Sequence, residues 1–170
     1  MNIFVLDKNP VIAAEMHCDK HCVKMILETA QMLSTAHHVY DTPEADKVYK
    51  KAHINHPCTK WIRESKANYR WAFDLYFALL LEFRTRRNKS HKSAELMYHL
   101  FKVPADMPDV GLTPFAQAMP DEYKGSCPVE AYRAYYVGDK ASIAEWNWGR
   151  PAPTWFINAI QKKDLQSLAV

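Results

Sequence analysis

Polar residues recur at helical spacing in the segment 17-HCDKHCVKMILETAQMLSTAHH-38. Alternating steps of four and three place them on one face of an α-helix, within an arc of about 100°. Most of the remaining surface is apolar, whereas a solvated face would be wider and richer in Lys and Glu. The pattern predicts a nearly buried helix with a narrow ionisable stripe that lines either solvent or a cleft. This ionisable stripe consists of His17, His21, Lys24, Glu28, Gln31, Thr35 and His38.

Glu28 is the stripe residue best placed for chemistry. It lies in the middle of the predicted helix, with His21, Lys24 and Gln31 on the same face and apolar residues on both flanks. A carboxylate in that position could transfer a proton or stabilise a developing positive charge. The structural alternative is an exposed pair between Glu28 and Lys24, which would contribute only roughly a few tenths of a kcal/mol to stability.

The histidines and cysteines of this segment form no established metal motif. His17 and His21 have the i, i+4 spacing of a zinc-binding pair, but the sequence contains neither CxxC nor HExxH. Cys18 and Cys22 fall on the apolar flank, where thiols behave as small hydrophobic groups. We therefore expect no metal ion and no other cofactor.

The basic run 84-RTRRNKSHK-92 and the aromatic residues of the C-terminal part indicate nucleic-acid binding. Cationic side chains neutralise phosphates, and aromatic rings stack on bases. The same residues also have structural explanations, because basic residues favour helix C-termini and aromatic rings fill cores. The candidates for contact with double-stranded DNA are Arg84, Arg86, Arg87, Lys89, Arg150 and Trp155.

Composition and periodicity predict an all-α protein. The chain of 170 residues is 48% hydrophobic and has only 4 glycines, and a chain of this length fits a single domain. We expect one domain over residues 1–170, with three to four main helices, long wrapping loops and a short extended N-terminal segment at residues 2–6. The predicted helices cover about residues 10–39, 57–86, 93–102 and 128–143, and a final helical turn or two follows.

The sequence contains no predicted membrane span or export signal. The longest apolar run, 75-LYFALLL-81, is too short to cross a bilayer. The short apolar run within residues 1–7 has no accompanying basic region or cleavage site. We therefore expect a soluble cytoplasmic protein with free thiols and no membrane partner, while the sequence indicates no particular protein partner.

Two short motifs resemble a family of DNA repair enzymes. The run 19-DKHCVKMILE-28 resembles the D-x-H…E segment of the pyrimidine-dimer DNA glycosylases of T-even phages. The run 150-RPAPTWF-156 is similar to the R-P-T-W-Y close of that family, with two residues inserted after the Pro. The resemblance implies a compact all-α enzyme that extrudes a nucleotide, attacks the damaged site with its N-terminal amine and then cleaves the strand.

The resemblance also implies roles for particular residues. Glu28 matches the essential carboxylate of the first helix, and His21 and Asp19 match its companions. The family's nucleophile is a Thr exposed by removal of the initiator Met, whereas Asn2 is too large for efficient removal, so the free amine is expected on Met1. That amine should lie within about 8 Å of the Glu28 carboxylate.

The function implied is a glycosylase/lyase for damaged or modified pyrimidines in double-stranded DNA, with Trp155 filling the space left by an extruded base. One alternative is a phage base-hypermodification transferase that joins an amine to an activated hydroxymethyl pyrimidine, using His21, Lys24 and Glu28. Another is a non-enzymatic DNA-binding or inhibitor module with the ionisable stripe as a solvent face. Placement of Met1 and Glu28 on opposite faces would favour the transferase.

Overall fold

The computed structural model describes residues 1–167, and this part of the chain contains helices and irregular segments but no strand. The all-α class predicted from the periodicity is therefore confirmed. The prediction of three to four main helices is too low, because two of the predicted helices are each divided in two. The α-helices of the described part are α1 (Pro10–Met16), α2 (Asp19–Val39), α3 (Pro57–Glu64), α4 (Lys66–Arg87), α5 (Met97–Leu100), α6 (Pro128–Asp139) and α7 (Thr154–Ser167).

The first break separates α1 from α2 at His17 and Cys18, which both have extended backbone conformations. This break is stabilised by Arg86 of α4. The Arg86 guanidinium donates hydrogen bonds to the carbonyls of Glu15 (2.9 Å) and His17 (2.8 Å). These carbonyls lie at the C-terminal end of α1, where an ending helix leaves its last acceptors without partners. A side chain almost 70 positions away along the chain thus ends this helix.

The second break separates α3 from α4 at Ser65, whose extended conformation interrupts the predicted helix. The Ser65 hydroxyl accepts a hydrogen bond from the Asn68 N–H at 3.0 Å and so caps α4. The Lys66 N–H, which also lies at the start of α4, donates to the Pro108 carbonyl at 2.8 Å. The break therefore connects α4 to the long segment between α5 and α6.

The core forms where α4 packs against α1 and α2. The large aromatic side chains of Trp61, Tyr69 and Tyr76 are almost completely buried there, as are Tyr132 and Tyr136 of α6. Phe73, which was predicted on the same core stripe, is only half-buried. No helix in residues 1–167 is both long and apolar enough to cross a membrane.

The C-terminal elements differ in extent from their predictions. The predicted helix 93–102 is a 3₁₀ turn at Lys92–Leu96 followed by the single-turn helix α5. Helix α6 ends at Asp139, and Ala141–Ile143 forms a separate 3₁₀ turn. The last helix, α7, is longer than the turn or two predicted, and its described part ends at Ser167.

Candidate functional site

A cavity of about 310 Å³ lies beside the first residues of the chain. Helix α2 forms one wall, and the N-terminal segment, the loop at Ala118 and the end of α6 form the others. We call it the amine cavity because the Met1 amine lines it. Its residues are Met1, Asn2, Phe4, Lys20, His21, Lys24, Met25, Glu28, Ala118, Tyr135, Lys140 and Ile143.

The Met1 amine and the Glu28 carboxylate lie next to each other in this cavity. The amino nitrogen is 3.6 Å from Glu28 Oε2, and the Asn2 N–H donates a hydrogen bond of 2.9 Å to the same oxygen. Lys24 Nζ lies 3.4 Å from the other oxygen, Oε1. The predicted separation of less than about 8 Å between the amine and the carboxylate is therefore confirmed. Glu28 is only 8% exposed, so the alternative of an exposed surface pair with Lys24 is wrong.

The backbone end of Met1 is its accessible part. The Met1 side chain is only 4% exposed and accepts a hydrogen bond from the Thr59 hydroxyl at its sulfur, at 3.6 Å. The residue as a whole is only half-buried, so most of its exposed surface belongs to the backbone. The buried side chain anchors the residue, and the amine remains open to the cavity.

Asn2 fixes the position of the N-terminal segment. Its side-chain amide donates to the Ala118 carbonyl at 2.8 Å, and its Oδ1 accepts from the Ile3 N–H at 2.8 Å. Since the Asn2 backbone nitrogen also contacts Glu28, loss of Met1 would leave the new amine beside the same carboxylate. An α-amine therefore lies beside Glu28 whether the mature chain begins with Met1 or with Asn2.

His21 forms the part of the cavity wall that faces α6. Its Nδ1 is hydrogen-bonded to the Tyr136 hydroxyl at 2.6 Å, and its ring stacks on Phe4 with 4.4 Å between the centroids. Burial, with the nearby charges of His17 and Lys140, lowers the pKa of His21 to about 3. The imidazole is therefore neutral near pH 7. Phe4 reaches this position with a φ of 34°, which is unfavourable for a bulky residue.

Cations outnumber anions around the amine cavity. Lys20, Lys24, Lys140 and the Met1 amine line it together with a single carboxylate, that of Glu28. The sequence analysis did not select Lys20, although it lies four residues before Lys24 and shares its helical face. It also missed Lys140, which follows α6 and comes near only through the tertiary fold, so no local pattern indicated it.

The ionisable stripe does not form a single site. His21, Lys24 and Glu28 line the amine cavity, whereas Thr35 binds the backbone of Ala52 and His38 binds the carbonyl of Tyr49. These last contacts hold the connection between α2 and α3 against the helix. His17 lies before α2, and its Nδ1 is hydrogen-bonded to the Ala13 carbonyl at 2.6 Å. Of the stripe that was predicted to line either solvent or a cleft, only His21, Lys24 and Glu28 line the cavity.

Arg86 is buried in a group of ion pairs that we call the Arg86 cluster, consisting of Arg86, Arg150, Glu15, Asp19 and Glu82. The Arg86 side chain is 1% exposed and lies 3.2 Å from Asp19 and 3.0 Å from Glu82. Arg150 binds Glu82 at 2.6 Å and Glu15 at 3.3 Å. The prediction that Arg86 contacts DNA is wrong, because its donors are used inside the protein. The charge of Arg150 is likewise used in ion pairs, and Asp19 belongs to this cluster rather than to the amine cavity.

The other predicted DNA-binding residues have different surroundings. Arg84, Arg87 and Lys89 are exposed at the end of α4 and just beyond it. Trp155 is half-buried, and its indole N–H donates to the sulfur of Met16 at 3.4 Å. It does not line the amine cavity, so the structure gives no support for the prediction that it fills the space left by a base.

Among residues 1–167, no three His, Cys, Asp or Glu side chains are grouped as metal ligands. Comparisons of the chain with protein-family models, curated proteins and solved structures find no match. The resemblance to the phage glycosylases thus consists of the two short motifs, and conclusions about function depend on the geometry of the amine cavity.

Proposed function

We propose that the protein is a DNA glycosylase/lyase that uses the Met1 amine as its nucleophile and Glu28 as its acid–base residue. The observation that carries this proposal is the distance of 3.6 Å between the amino nitrogen and a buried carboxylate oxygen within an open cavity. An α-amine loses its proton at lower pH than a lysine side chain, so near neutral pH it is the stronger candidate for a nucleophile.

The proposed chemistry begins with attack of the Met1 amine on C1′ of a deoxyribose. At an abasic site this carbon is an aldehyde, so the attack forms an imine and releases water. At an intact nucleotide the amine displaces the base, which leaves with a proton; the bond between C1′ and the ring oxygen then breaks, the ring oxygen takes the remaining proton of the attached nitrogen, and the same imine results. Glu28 then accepts the C2′ proton, the bond between C3′ and its oxygen breaks, and the 3′ phosphate leaves.

The charge of the amine cavity supports a polyanionic substrate. Lys20, Lys24 and Lys140 can neutralise the phosphates on either side of the sugar, while the single carboxylate lies beside the amine. His21 carries no charge near pH 7, so it adds no repulsion against the protonated form of the amine. A cavity of about 310 Å³ lies within the usual size range of ligand sites.

The two alternative functions are less well supported. A transferase was expected if Met1 and Glu28 lay on opposite faces, and they are in contact instead. A binding module with the stripe as a solvent face requires an exposed Glu28, which is buried. The three residues expected to serve a transferase, His21, Lys24 and Glu28, do line the cavity, but a transferase does not account for the contact between Glu28 and the Met1 amine.

The test is borohydride trapping on duplex DNA that carries one abasic site. We expect a covalent adduct between protein and DNA, and peptide mapping should place the reduced bond on the Met1 nitrogen. Intact-mass measurement of the protein establishes in parallel that the mature chain begins with Met1. Failure to form any adduct with abasic DNA would overturn the proposed function.

Two variants identify the reacting amine. Extension of the chain by Ser-Gly-Ser before Met1 removes the amine from Glu28, and we expect at least a hundredfold slower trapping. Lys24→Arg keeps the charge beside Glu28 but cannot form an imine, so trapping should continue at a similar rate. Loss of the adduct in Lys24→Arg, with full activity in the extended chain, would assign the nucleophile to Lys24 instead.

A further inference from the structure

A second cavity, of about 620 Å³, adjoins the amine cavity. The two cavities share Lys20, Lys24 and Ile143, so these residues lie on the boundary between them. We call the second cavity the Trp148 chamber, because Trp148 is its one aromatic lining residue. A nucleotide whose sugar reaches the amine would have the chamber directly beside it.

The chamber contains the groups that a flat heterocycle requires. Val23, Ile143 and Trp148 supply apolar surface, and the Trp148 ring offers a face for stacking. Asn147 and Glu145 also line the chamber, and the Asn147 amide donates a hydrogen bond of 3.1 Å to the Glu145 carboxylate, which leaves the amide oxygen and the second carboxylate oxygen as acceptors. This combination fits a nucleobase better than it fits a phosphate, because a carboxylate would repel an anion.

Trp148 is held in place from two sides. Its backbone N–H donates to Asp19 Oδ2 at 3.1 Å, and the Asn147 N–H donates to the same oxygen at 2.5 Å. The Arg87 guanidinium carbon lies 4.2 Å from the centroid of the Trp148 ring. The ring is thus fixed before a ligand arrives, which lowers the entropic cost of stacking.

We propose that the Trp148 chamber binds a nucleobase of the DNA next to the sugar that reaches the amine, stacked on the Trp148 ring. This inference rests on the proposed action on DNA and adds the group that takes hold of a base. It assigns to Trp148 the stacking role that the sequence analysis gave to Trp155. Lys20 and Lys24 on the boundary then contact the phosphates between the sugar and the stacked base.

The test is photocrosslinking with 5-iodouracil, which couples to aromatic side chains stacked on it. Duplexes carry an unreactive tetrahydrofuran abasic analogue, with 5-iodouracil placed in turn on its 5′ side, on its 3′ side and opposite it. We expect at least one position to crosslink to Trp148 in the unaltered protein, as identified by peptide mass spectrometry. Crosslinks that map only to other residues would overturn the inference.

Affinity measurements with matched variants complete the test. Trp148→Leu should weaken binding to the abasic-analogue duplex roughly tenfold, whereas Trp148→Phe should keep most of the affinity. Trp146→Phe is the control, because Trp146 packs on Phe156 and lies outside the chamber. Unchanged affinity in Trp148→Leu would overturn the inference while leaving an adduct with abasic DNA intact. Absence of the adduct, with the crosslink to Trp148 present, would overturn only the proposed catalysis.

Discussion

The Arg86 cluster and the amine cavity both bury a carboxylate of helix α2, yet the two carboxylates have very different surroundings. In the cluster, Asp19 accepts hydrogen bonds from Arg86 and from the backbone of the segment before Arg150. In the cavity, Glu28 contacts the Met1 amine and Lys24 and borders open space. Asp19 also lines the Trp148 chamber, but both of its oxygens are used by these hydrogen bonds, whereas Glu28 borders the cavity that holds the amine.

The balance of charge explains why the two regions have different roles. The Arg86 cluster sets two arginines against three carboxylates, and the ion pairs connect all five side chains. The amine cavity sets four cationic groups against Glu28 alone. Because excess charge of one sign destabilises a fold, such a surplus of cations indicates a site for an anionic ligand, whereas charges that are joined in ion pairs indicate a structural role.

The largest expected effect is that of Glu28→Gln on catalysis. The variant should cleave the strand at an abasic site about 100 to 10,000 times more slowly, because it lacks the group that accepts the C2′ proton after the imine has formed. Its free energy of unfolding should change by less than about 1 kcal/mol, because the amide oxygen still accepts from the Asn2 N–H. Strand cleavage at the unaltered rate would remove Glu28 from the mechanism.

The second prediction concerns the stability provided by the Arg86 cluster. Arg86→Met removes the buried guanidinium that Asp19 and Glu82 share, and should lower the free energy of unfolding by about 3–5 kcal/mol in urea titrations. Arg84→Met, on the exposed side of the same helix, should change it by no more than about 0.5 kcal/mol. Equal stability of the two variants would contradict the structural role given to Arg86.

The third prediction is a pH dependence shared by both regions. Burial is the main cause that lowers the pKa of His17 to about 4 and that of His21 to about 3, from 6.5 in the unfolded chain. Between pH 4 and pH 6.5 the two histidines bind more protons in the unfolded chain than in the folded chain. Stability is therefore complete above pH 6.5 and falls as the pH decreases towards 4.

Urea titrations between pH 4 and 7 test this dependence. Each of the two histidines should contribute a slope of about 1.4 kcal/mol per pH unit within the window. His21→Gln should reduce the slope by that amount, whereas His53→Asn, at an exposed site, should leave it unchanged. A slope that His21→Gln does not alter would mean that His21 titrates normally in the folded protein.

The smallest expected effect is that of a single cavity cation on DNA affinity. Lys140→Gln should reduce the slope of log affinity against log salt concentration by about 0.9, as expected for one lost phosphate contact. Lys51→Gln, at an exposed position outside both cavities, should not change the slope. Identical slopes for the two variants would exclude Lys140 from the DNA contact.

Local sequence patterns predicted the parts of the fold that local interactions determine. The helical class and the shared face of His21, Lys24 and Glu28 follow from spacing along one helix. The cap at Ser65 was also present in the sequence, since a Ser before a helical run is a common N-terminal signal. The break at His17 could not be predicted in this way, because it depends on Arg86 of another helix.

The basic run at the end of α4 also contains residues whose roles local sequence patterns do not determine. Arg86 and Arg87 are neighbours in sequence, but one is buried in ion pairs and the other lies over Trp148. Glu82 lies four residues before Arg86, and this spacing could have indicated that Arg86, unlike Arg87, forms an ion pair within the protein. Trp148 was one of the C-terminal aromatic residues expected to stack on bases but was not distinguished from the others, whereas the position of Lys140 arises from tertiary packing alone.

The strained Phe4 has a consequence for the order in which the protein matures. Its ring packs against Tyr136, and the neighbouring Asn2 binds the Ala118 carbonyl, so the N-terminal segment requires partners synthesised much later. At a translation rate of about 5–20 residues per second, the time between the synthesis of Met1 and that of Tyr136 is on the order of ten seconds. During that time the amine is open to N-terminal processing enzymes. The cavity around it exists only once the chain has been synthesised through α6.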